Sequence, residues 1–344
     1  MINQYSKGAE MIVSAGLPTC MEGMMYPIPF AKPEDIIRVA QHAEKLGYHS
    51  VWGNDHMTTQ KYVRKEFNTP PNFWEPLIVY AYLAAKTTTL KFGTGILVTP
   101  MRRDIVVLAK QIASLDQFSG GRFMLGVGIG AYREEFEALH PTWRSHRGDL
   151  LEESIQVIQY LFNERVASWH GEYYHFENVE MYPKPLQNPL PIYFGGNNPN
   201  AYRRAALYGN GWLPAGMPVD KVGKKVHHLK EILEEQGRSF DEMDVAMQLI
   251  AYVGSSHEQA VERFHRSQMY QHLISLSQST LKEQVGTKHE ETNLIGTVEE
   301  IIEKINRFKE AGVKHLAGTY FCADNVNELM DQMHIFAEEV TPHI

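Results

Sequence analysis

Short apolar runs alternate with amphipathic segments along most of the chain. The run Met11–Gly16 precedes a loop, and the next segment, Pro33–Leu46, has its apolar side chains at helical spacing. Pro33 suits the first turn of a helix, and the acidic residues after it favour the positive end of the helix. Gly47 ends this predicted helix, and a second apolar run follows it. The pattern therefore predicts a strand–helix–strand unit at the start of the chain.

The same unit repeats to the end of the chain and gives eight predicted strands separated by helices. These strands lie at Met11, Ser50, Leu90, Arg122, Pro191, Gly211, Val245 and His315. Alternation of this kind indicates a parallel sheet, and eight units fit a closed barrel better than an open sheet. We therefore predict an α/β fold, a (β/α)8 TIM barrel, as a single domain over residues 1–344.

Two stretches do not fit this alternation of strands and helices. Val166–Val179 has the pattern of a hairpin inserted between the fourth helix and the fifth strand, and Ser275–Asn293 is a polar loop or mobile insertion. Within the repeating part, Leu90–Val98 is predicted as a strand, and Glu258–His272 and Val326–Val340 are each predicted as one helix. No linker divides the chain into two domains.

Composition and charge narrow the class of protein. The chain has 33 Lys and Arg against 41 Asp and Glu, a net charge of −8 at neutral pH. This acidic excess argues against a nucleic-acid partner or an anionic membrane surface. Two cysteines exclude a disulfide framework, and no stretch has the apolar length of a membrane span or the core of a signal peptide. We expect a cytoplasmic globular protein of enzyme size.

The best candidate for catalysis is a pair of polar residues at the end of a strand. The active site of such a barrel lies at the carboxyl ends of its strands, and Asp55 and His56 stand one step past the second predicted strand. A histidine titrates near neutrality and can give or take a proton. We predict His56 as the catalytic residue, with Asp55 orienting it. Alternatively, Asp55 caps the loop and His56 is merely exposed.

Two glycine-rich turns follow strands and lead into helices. They are GVGIG at Gly126–Gly130 and GGNN at Gly195–Asn198. Glycines allow close approach of the backbone, and the free N–H groups of a helix start favour a phosphate. Both turns lie on the same predicted face of the barrel, so together they form a candidate phosphate site, although each alone can simply turn the chain. Neither has the glycine spacing of a Rossmann or P-loop motif.

The histidines outside this face do not indicate a metal site. The sequence has neither HExxH nor a cluster of Cys and His. His227 and His228 lie within a predicted helix, where neighbours face apart, and His170 and His175 lie in the predicted hairpin. We interpret these four residues as packed or solvated and predict no metal.

A longer set of motifs runs in order along the chain. It comprises AEKLGYHSVWGNDH (Ala43–His56), Leu90–Leu139, HRGDLLEE (His146–Glu153), WHGEYYHF (Trp169–Phe176), Pro183–Trp212 and Leu294–Leu316. With this set, the chain resembles the bacterial luciferase-like superfamily of flavin-dependent oxidoreductases. The resemblance covers most of the chain, and it implies a TIM barrel that holds either FMN or the deazaflavin coenzyme F-420 at the strand ends.

The resemblance also implies roles for individual residues. Asp55 and His56 would flank the ring system of the cofactor. Gly95 and Ile96 would form a non-proline cis peptide behind the ring, and Val98 would touch it. The phosphate side of the cofactor would be held by Gly128, Ile129, Gly130, Gly195, Gly196 and Asn197.

Two positions depart from the deazaflavin-dependent sugar-phosphate dehydrogenases of this superfamily. Those enzymes have an acidic residue after the third glycine of GVGxG, where this chain has Ala131. They also have a tryptophan four residues after the histidine, where this chain has Gln60. These departures speak against that particular dehydrogenase activity. Arg144 and Arg147 stand where family members often have basic residues near the cofactor, or they pair with glutamates of the next helix.

Three functions follow from the resemblance. Our first hypothesis is a monooxygenase in which reduced FMN, supplied by a separate flavin reductase, reacts with oxygen and a small organic substrate. The alternatives are a hydride-transfer oxidoreductase dependent on coenzyme F-420 and a flavin-binding protein without turnover. The regions Cys20–Phe30, Thr58–Asn72 and Ser275–Asn293 would determine the substrate, and their aromatic and methionine side chains suggest an apolar ligand. A homodimer is also implied, formed through the apolar helix Leu77–Ala85.

Overall fold

The computed structural model describes residues 10–142, 145–277 and 286–344. Its strands in chain order are β1 (Ile12–Leu17), β2 (Ser50–Gly53), β3 (Lys91–Thr94), β4 (Phe123–Val127), β5 (Ala167–His170), β6 (His175–Val179), β7 (Ile192–Gly195), β8 (Gly211–Leu213), β9 (Asp244–Val253), β10 (Leu294–Gly296) and β11 (His315–Phe321). Strands β1–β4, β7–β9 and β11 are parallel to their neighbours, and β9 closes the ring by pairing with both β8 and β11. The predicted (β/α)8 barrel is confirmed.

Helices surround the barrel and connect most successive strands. In chain order they are α1 (Pro33–Lys45), α2 (Lys61–Glu66), α3 (Pro76–Ala84), α4 (Ile105–Ser119), α5 (Arg133–Leu139), α6 (Arg147–Asn163), α7 (Pro199–Tyr208), α8 (Val219–Glu235), α9 (His257–His265), α10 (Gln268–Ser277), α11 (Val298–Glu310) and α12 (Val326–Ile335). Polar caps fix several helix starts. Asp104 and Asn198 accept hydrogen bonds from the first turns of α4 and α7, and Thr297 and Glu300 form a capping box on α11.

Two additions stand outside this alternation. β5 and β6 form the antiparallel hairpin predicted for Val166–Val179. β10 extends the sheet beyond the barrel by pairing with the last residues of β9. It follows the segment Ser275–Asn293, whose first residues belong to α10, whereas its described residues from 286 to 293 are turns and irregular chain, as predicted. Residues 278–285 of that segment lie outside the described part of the chain.

Three predicted boundaries differ from the structure. The predicted helix Glu258–His272 is two helices, α9 and α10, because Ser267 accepts a hydrogen bond from the first turn of α10 and starts a new helix there. The predicted helix Val326–Val340 is α-helical as far as Ile335 and then continues as a wider π-type turn. The predicted strand Leu90–Val98 is shorter, as β3. Among the described helices, none has the length and apolar character needed to cross a bilayer.

Side chains fill the amino-terminal end of the barrel. The imidazole of His315 lies 2.7 Å from Oγ of Ser14 through Nε2 and 3.0 Å from Oδ2 of Asp244 through Nδ1. Trp52 packs edge to face against His315 and against Tyr193, and it has no exposed surface. Because this end is sealed, a ligand has to enter at the other end, where the carboxyl ends of the strands meet.

Candidate active site

A cavity of about 820 Å³, including the part open to solvent, lies at the carboxyl ends of the barrel strands. Its walls come from the loops after β1, β2, β3, β4 and β8, from β9 and β11, from α10, and from Asn293 just before β10. It brings together six of the predicted site residues: Asp55, His56, Gly95, Ile96, Val98 and Gly130. The other five, Gly128, Ile129, Gly195, Gly196 and Asn197, are not part of its lining.

Asp55 is buried, and both of its carboxylate oxygens accept hydrogen bonds. Arg102 donates to Oδ2 at 2.6 Å and to Oδ1 at 3.1 Å, and the backbone N–H of Val98 donates to Oδ2 at 2.8 Å. Arg102 also donates to Glu75 at 3.0 Å. Burial lowers the pKa of Arg102, but the two carboxylates outweigh it and hold this pKa above its ordinary value. Asp55 therefore ties the loop after β2 to the turn after β3.

His56 has a different carboxylate partner. Its Nδ1 lies 2.8 Å from Oε1 of Glu135, whose side chain is 1% exposed. Nε2 of Gln60 lies 3.0 Å from the same ring nitrogen and also bonds to Oε1 of Glu135. The prediction that Asp55 orients His56 is wrong, because Asp55 turns to the guanidinium of Arg102 while His56 turns to Glu135.

The carboxylate at Nδ1 determines what the ring of His56 can do. With the Nδ1 hydrogen donated to Glu135, the lone pair of a neutral ring lies on Nε2, which can then accept a proton. Once protonated, the same nitrogen can return the proton. The ring lines the cavity, and the rings of Phe73 and Tyr132 lie beside it. The arrangement can therefore move a proton at an atom of a bound molecule.

Glu135 is not among the residues predicted from the sequence. Ala131 stands where the sugar-phosphate dehydrogenases have their acidic residue, and the acidic side chain of this chain comes four residues later, in the first turn of α5. The sequence did contain a signal for Glu135, because the first turn of the helix after GVGIG includes Glu134 and Glu135. Gln60 likewise follows His56 by four residues. A carboxylate in the first turn of a helix at the barrel mouth is well placed to reach the cavity.

The two glycine turns meet at Ile96. A Cβ on Gly128 would lie 2.5 Å from Cδ1 of Ile96, and a Cβ on Gly195 would lie 2.4 Å from its Cγ2. Neither position can carry a side chain while Ile96 keeps its place. The peptide between Gly95 and Ile96 is cis, which confirms the expectation from the resemblance. The structure therefore joins the loop after β3 to both glycine turns.

Both turns have backbone N–H groups that can meet a phosphate. Two of their N–H groups, those of Gly128 and Gly196, already bond to backbone carbonyls. Within the described residues, the N–H groups of Ile129, Gly130, Asn197 and Asn198 have no such bond. A phosphate binds well to several such groups that converge at helix starts.

Side chains hold the two turns in place. Arg147 donates to the carbonyls of Ile129 and Gly130 at 3.0 and 3.1 Å. Arg147 therefore supports the first turn. The side chain of Asn197 accepts from a backbone N–H after β8 at 2.9 Å, which fixes the second turn to the next strand end. Arg144 lies outside the described residues.

The described lining of the cavity has no lysine or arginine. Much of it is apolar, from Met25, Ile96, Val98, Leu249, Ile250, Leu273 and Leu276. Polar groups complete the wall. They include the carboxylate of Asp55, which is paired with Arg102, and the hydroxyl of Tyr320, which lies 3.1 Å from Oδ1 of Asn54 and 3.3 Å from Oε1 of Gln248. A cavity with this lining suits an uncharged ligand.

The hairpin of β5 and β6 carries a group of exposed side chains that includes two of the histidines interpreted above as packed or solvated. Possible ligand atoms of His170, His175 and Glu177 lie within 4.8 Å of one another. The Nε2 atom of His170 lies 2.9 Å from Glu177, and the two imidazoles are in ring contact. These contacts account for the positions of the three side chains, and we assign no metal to them.

Fold and site together define a class of protein. A (β/α)8 barrel with a histidine–carboxylate pair beside a cavity, and with free backbone N–H groups on neighbouring glycine turns, is suited to bind a phosphate-bearing cofactor next to a substrate. A family model described as luciferase-like monooxygenase matches residues 12–315. The chain belongs to this family, and the protein is an enzyme of the flavin- or deazaflavin-dependent oxidoreductase class.

Three similar proteins illustrate the range of the family. An F420-dependent glucose-6-phosphate dehydrogenase of Kineococcus radiotolerans is 29% identical over 234 residues, which cover 67% of this chain and 67% of that protein. An FMNH(2)-dependent dimethylsulfone monooxygenase of Pseudomonas putida is 27% identical over 296 residues, 79% of this chain and 78% of that protein. The solved structure of an F420-dependent secondary alcohol dehydrogenase shares the fold with a TM-score of 0.79 and 22% identity, over 96% of this chain and 98% of its own.

Proposed function

We propose that the protein transfers hydride between a deazaflavin or flavin cofactor and a small uncharged substrate that carries a hydroxyl or carbonyl group. The observation that carries this proposal is the pairing of His56 with the buried Glu135 at the wall of a largely apolar cavity. Removal of hydride from a hydroxyl-bearing carbon needs a base for the hydroxyl proton, and an imidazole held by a carboxylate supplies one. The reverse reaction uses the same ring as an acid.

The residues at the strand ends fit such a cofactor. Ile96 and Val98 offer an apolar surface to a planar ring system, and the N–H groups of Ile129, Gly130 and Asn197 suit its phosphate. When bound, the cofactor supplies the hydride donor or acceptor, and proton transfer is left to the chain. The named relatives support both a deazaflavin and FMN. Hydride transfer without oxygen favours coenzyme F-420 as the carrier.

The substrate is expected to be uncharged and partly apolar. The described lining offers no lysine or arginine to a phosphate group, and Met25, Leu273 and Leu276 contribute apolar surface. Ala131 and Gln60 are also the two positions at which the chain departs from the sugar-phosphate dehydrogenases. We therefore propose a small alcohol or ketone as substrate, and not a sugar phosphate.

A second candidate is oxygenation of a small organic compound with reduced FMN and oxygen. The apolar lining favours it, because exclusion of water protects reactive species in an active site. The similarity to a dimethylsulfone monooxygenase supports it as well. In this case a separate flavin reductase would supply the reduced FMN.

Cofactor binding and oxygen dependence separate the two candidates. The protein is titrated with FMN and with coenzyme F-420, and the cofactor that binds is combined with 2-propanol, cyclohexanol or cyclohexanone, with and without oxygen. We expect an alcohol to reduce the bound cofactor under argon. Turnover that requires both oxygen and a flavin reductase would establish the second candidate instead. Tight binding of a cofactor without turnover in either assay would point to a flavin-binding protein without catalysis.

A further inference from the structure

A second imidazole, that of His272, lines the same cavity as His56 but has a different environment. His272 lies on α10, and it is 7% exposed. Its Nδ1 lies 3.1 Å from the hydroxyl of Tyr62, so its partner is a neutral group and not a carboxylate. The proton transfer proposed for His56 makes no use of this ring.

The hydrogen bonds of two hydroxyl groups favour one tautomer of His272. Tyr132 donates to the oxygen of Tyr62 at 3.5 Å, which leaves the Tyr62 hydrogen for Nδ1 of His272. With Nδ1 as the acceptor, the hydrogen of a neutral ring is on Nε2. Within the described residues, the one hydrogen bond of the ring is made by Nδ1, and the ring lines the cavity, so Nε2–H can donate to a bound molecule.

Burial keeps this ring uncharged. Burial, which has the largest effect, and the nearby ring of His56 together lower the pKa of His272 to about 3. The ring of His272 therefore stays neutral at physiological pH, even while His56 gains and loses a proton. A neutral ring of this kind can donate a hydrogen bond without acting as a proton source.

We propose that His272 determines specificity by donating a hydrogen bond from Nε2 to an acceptor oxygen of the substrate. This inference rests on the proposed function and names its substrate class, an uncharged and largely apolar molecule with a carbonyl or hydroxyl oxygen. The two imidazoles then have separate tasks. His56, held by Glu135, exchanges the proton, whereas His272, held by Tyr62, binds the oxygen without exchanging a proton.

The surroundings of His272 agree with this substrate class. Leu273 and Leu276 of the same helix line the same cavity and contribute apolar surface to it. Asn293, a polar neighbour in the lining, is already engaged, since its oxygen accepts from the N–H of Ile250 and its amide donates to the carbonyl of His289. A compound of the same shape without an oxygen would leave the Nε2 hydrogen unpaired and would bind more weakly.

Nitrogen NMR of the cofactor-loaded protein, labelled with ¹⁵N-histidine, reads the tautomer and charge directly. We expect the imidazole signal that disappears in His272→Gln to belong to a ring that stays neutral, with its hydrogen on Nε2, from about pH 8 to about pH 5. In Tyr62→Phe the chemical shift of the unprotonated Nδ1 should move, because this nitrogen loses its hydrogen-bond donor. A charged ring of His272 at about pH 5, or hydrogen on Nδ1 in the wild type, would overturn the proposal.

Binding of cyclohexanone and methylcyclohexane to the cofactor-loaded protein tests recognition of the oxygen, because the two molecules are similar in size. His272→Leu should weaken cyclohexanone binding by about five- to tenfold and leave methylcyclohexane binding unchanged. His272→Gln keeps an N–H donor and should restore most of the lost affinity. The matched control Leu273→Ala changes apolar surface only and should affect both compounds alike.

Two outcomes would overturn the role of His272. They are equal losses for both compounds in His272→Leu, and no binding of cyclohexanone to the wild type. Failure of the proposed function looks different. In that case the wild type and His272→Leu would differ in cyclohexanone binding as expected, but no alcohol or ketone would be turned over.

Discussion

Asp55 and His56 are neighbours in the chain but act on different parts of the site. The carboxylate of Asp55 bonds to Arg102 and to the backbone of Val98, so it fixes the shape of two loops. The ring of His56 bonds to Glu135, so its protonation can change against a fixed carboxylate. Of the two carboxylates, Glu135 is the one whose charge bears on proton transfer.

Glu135→Gln should lower kcat by about 10- to 100-fold, which is at or below the lower limit of what general acid–base catalysis contributes, because His56 itself remains. The substitution keeps the size of the side chain but removes the charge that stabilises the protonated ring of His56. Cofactor affinity should change little, because the glycine turns are untouched. Steady-state kinetics and a cofactor titration on the same preparation measure both quantities.

Glu134→Gln is the matched control for this substitution. Glu134 is the preceding residue of α5, and it accepts a hydrogen bond from the backbone of Lys61 outside the cavity lining. Its variant should keep the kcat of the wild type. If Glu135→Gln turns over at the rate of the wild type, Glu135 has only a structural role.

Gly128→Ala should weaken cofactor binding by about tenfold, because its Cβ would lie 2.5 Å from Cδ1 of Ile96 and would force that side chain to move. Titration with the cofactor, followed by absorbance or fluorescence, measures the change. Gly223→Ala on α8 is the control, since its Cβ would come no closer than 3.9 Å to another atom. An unchanged dissociation constant for Gly128→Ala would separate this turn from the cofactor site.

The site residues divide into those that sequence could predict and those that it could not. The position of His56 follows from the barrel rule, since it depends only on where a strand ends. Its partner Glu135 is 79 residues away, and Arg102 is 47 residues from Asp55. Local sequence patterns do not predict contacts between residues so far apart. The partners are brought together by the conformations of loops, and the patterns do not specify these conformations.

At the scale of elements, all eight barrel strands were predictable, because parallel strands that are buried on both faces are short apolar runs. β10 was not predicted, because it is only three residues long (Leu294–Gly296) and directly follows a polar segment. It pairs with the last residues of β9, outside the barrel. The break between α9 and α10 was also missed, because the apolar pattern continues across Ser267. That break matters for the site, since α10 carries His272.

Helices α3 and α4 present an apolar outward face. Ile78 and Tyr82 on α3 and Val107 and Phe118 on α4 are large hydrophobic side chains with exposed surface, and Phe118 is 81% exposed. The inner face of α3 is buried as well, so this helix is apolar on both sides. Large exposed apolar patches mark interaction surfaces, and we expect this one to form a homodimer.

Ile78→Glu and Phe118→Glu should each convert a dimer to a monomer, because a charge would be buried in the contact. Sedimentation velocity at micromolar concentration should give about twice the chain mass of 39.3 kDa for the wild type and 39.3 kDa for the variants. Val166→Glu is the control, since Val166 is also exposed but lies at the start of the hairpin and not on α3 or α4. A wild type that sediments as a single chain would refute the dimer.

At the scale of the whole molecule, buried histidines should destabilise the protein in acid. Burial is the largest cause that lowers the pKa of His49 to about 4, and it also lowers the pKa values of His42 and His289. The unfolded chain takes up these protons near pH 6.5, whereas folded His49 remains neutral down to about pH 4. The stability that these rings contribute is complete above about pH 6.5 and is lost as the pH falls towards about 4.

His49→Gln should make the free energy of unfolding less sensitive to pH, by up to about 1 kcal/mol per pH unit between about pH 6.5 and about pH 4.5. Glutamine can still accept the hydrogen bond that Lys91 donates to Nε2 of His49 at 3.0 Å. Urea unfolding at several pH values measures the slope. His227→Gln, at a side chain that is 79% exposed, should keep the slope of the wild type. Identical slopes for His49→Gln and the wild type would contradict the prediction.

The sealed end of the barrel has a consequence for inferring function from side-chain geometry. Ser14, His315 and Asp244 follow one another at 2.7 and 3.0 Å, which are the distances of a serine hydrolase triad. Ser14 has no exposed surface and lies at the end of the barrel opposite the cavity, so no ester or peptide bond can approach its hydroxyl. Here the same three side chains that elsewhere make a nucleophile hold strands together. A triad template that ignores access would classify this oxidoreductase as a hydrolase.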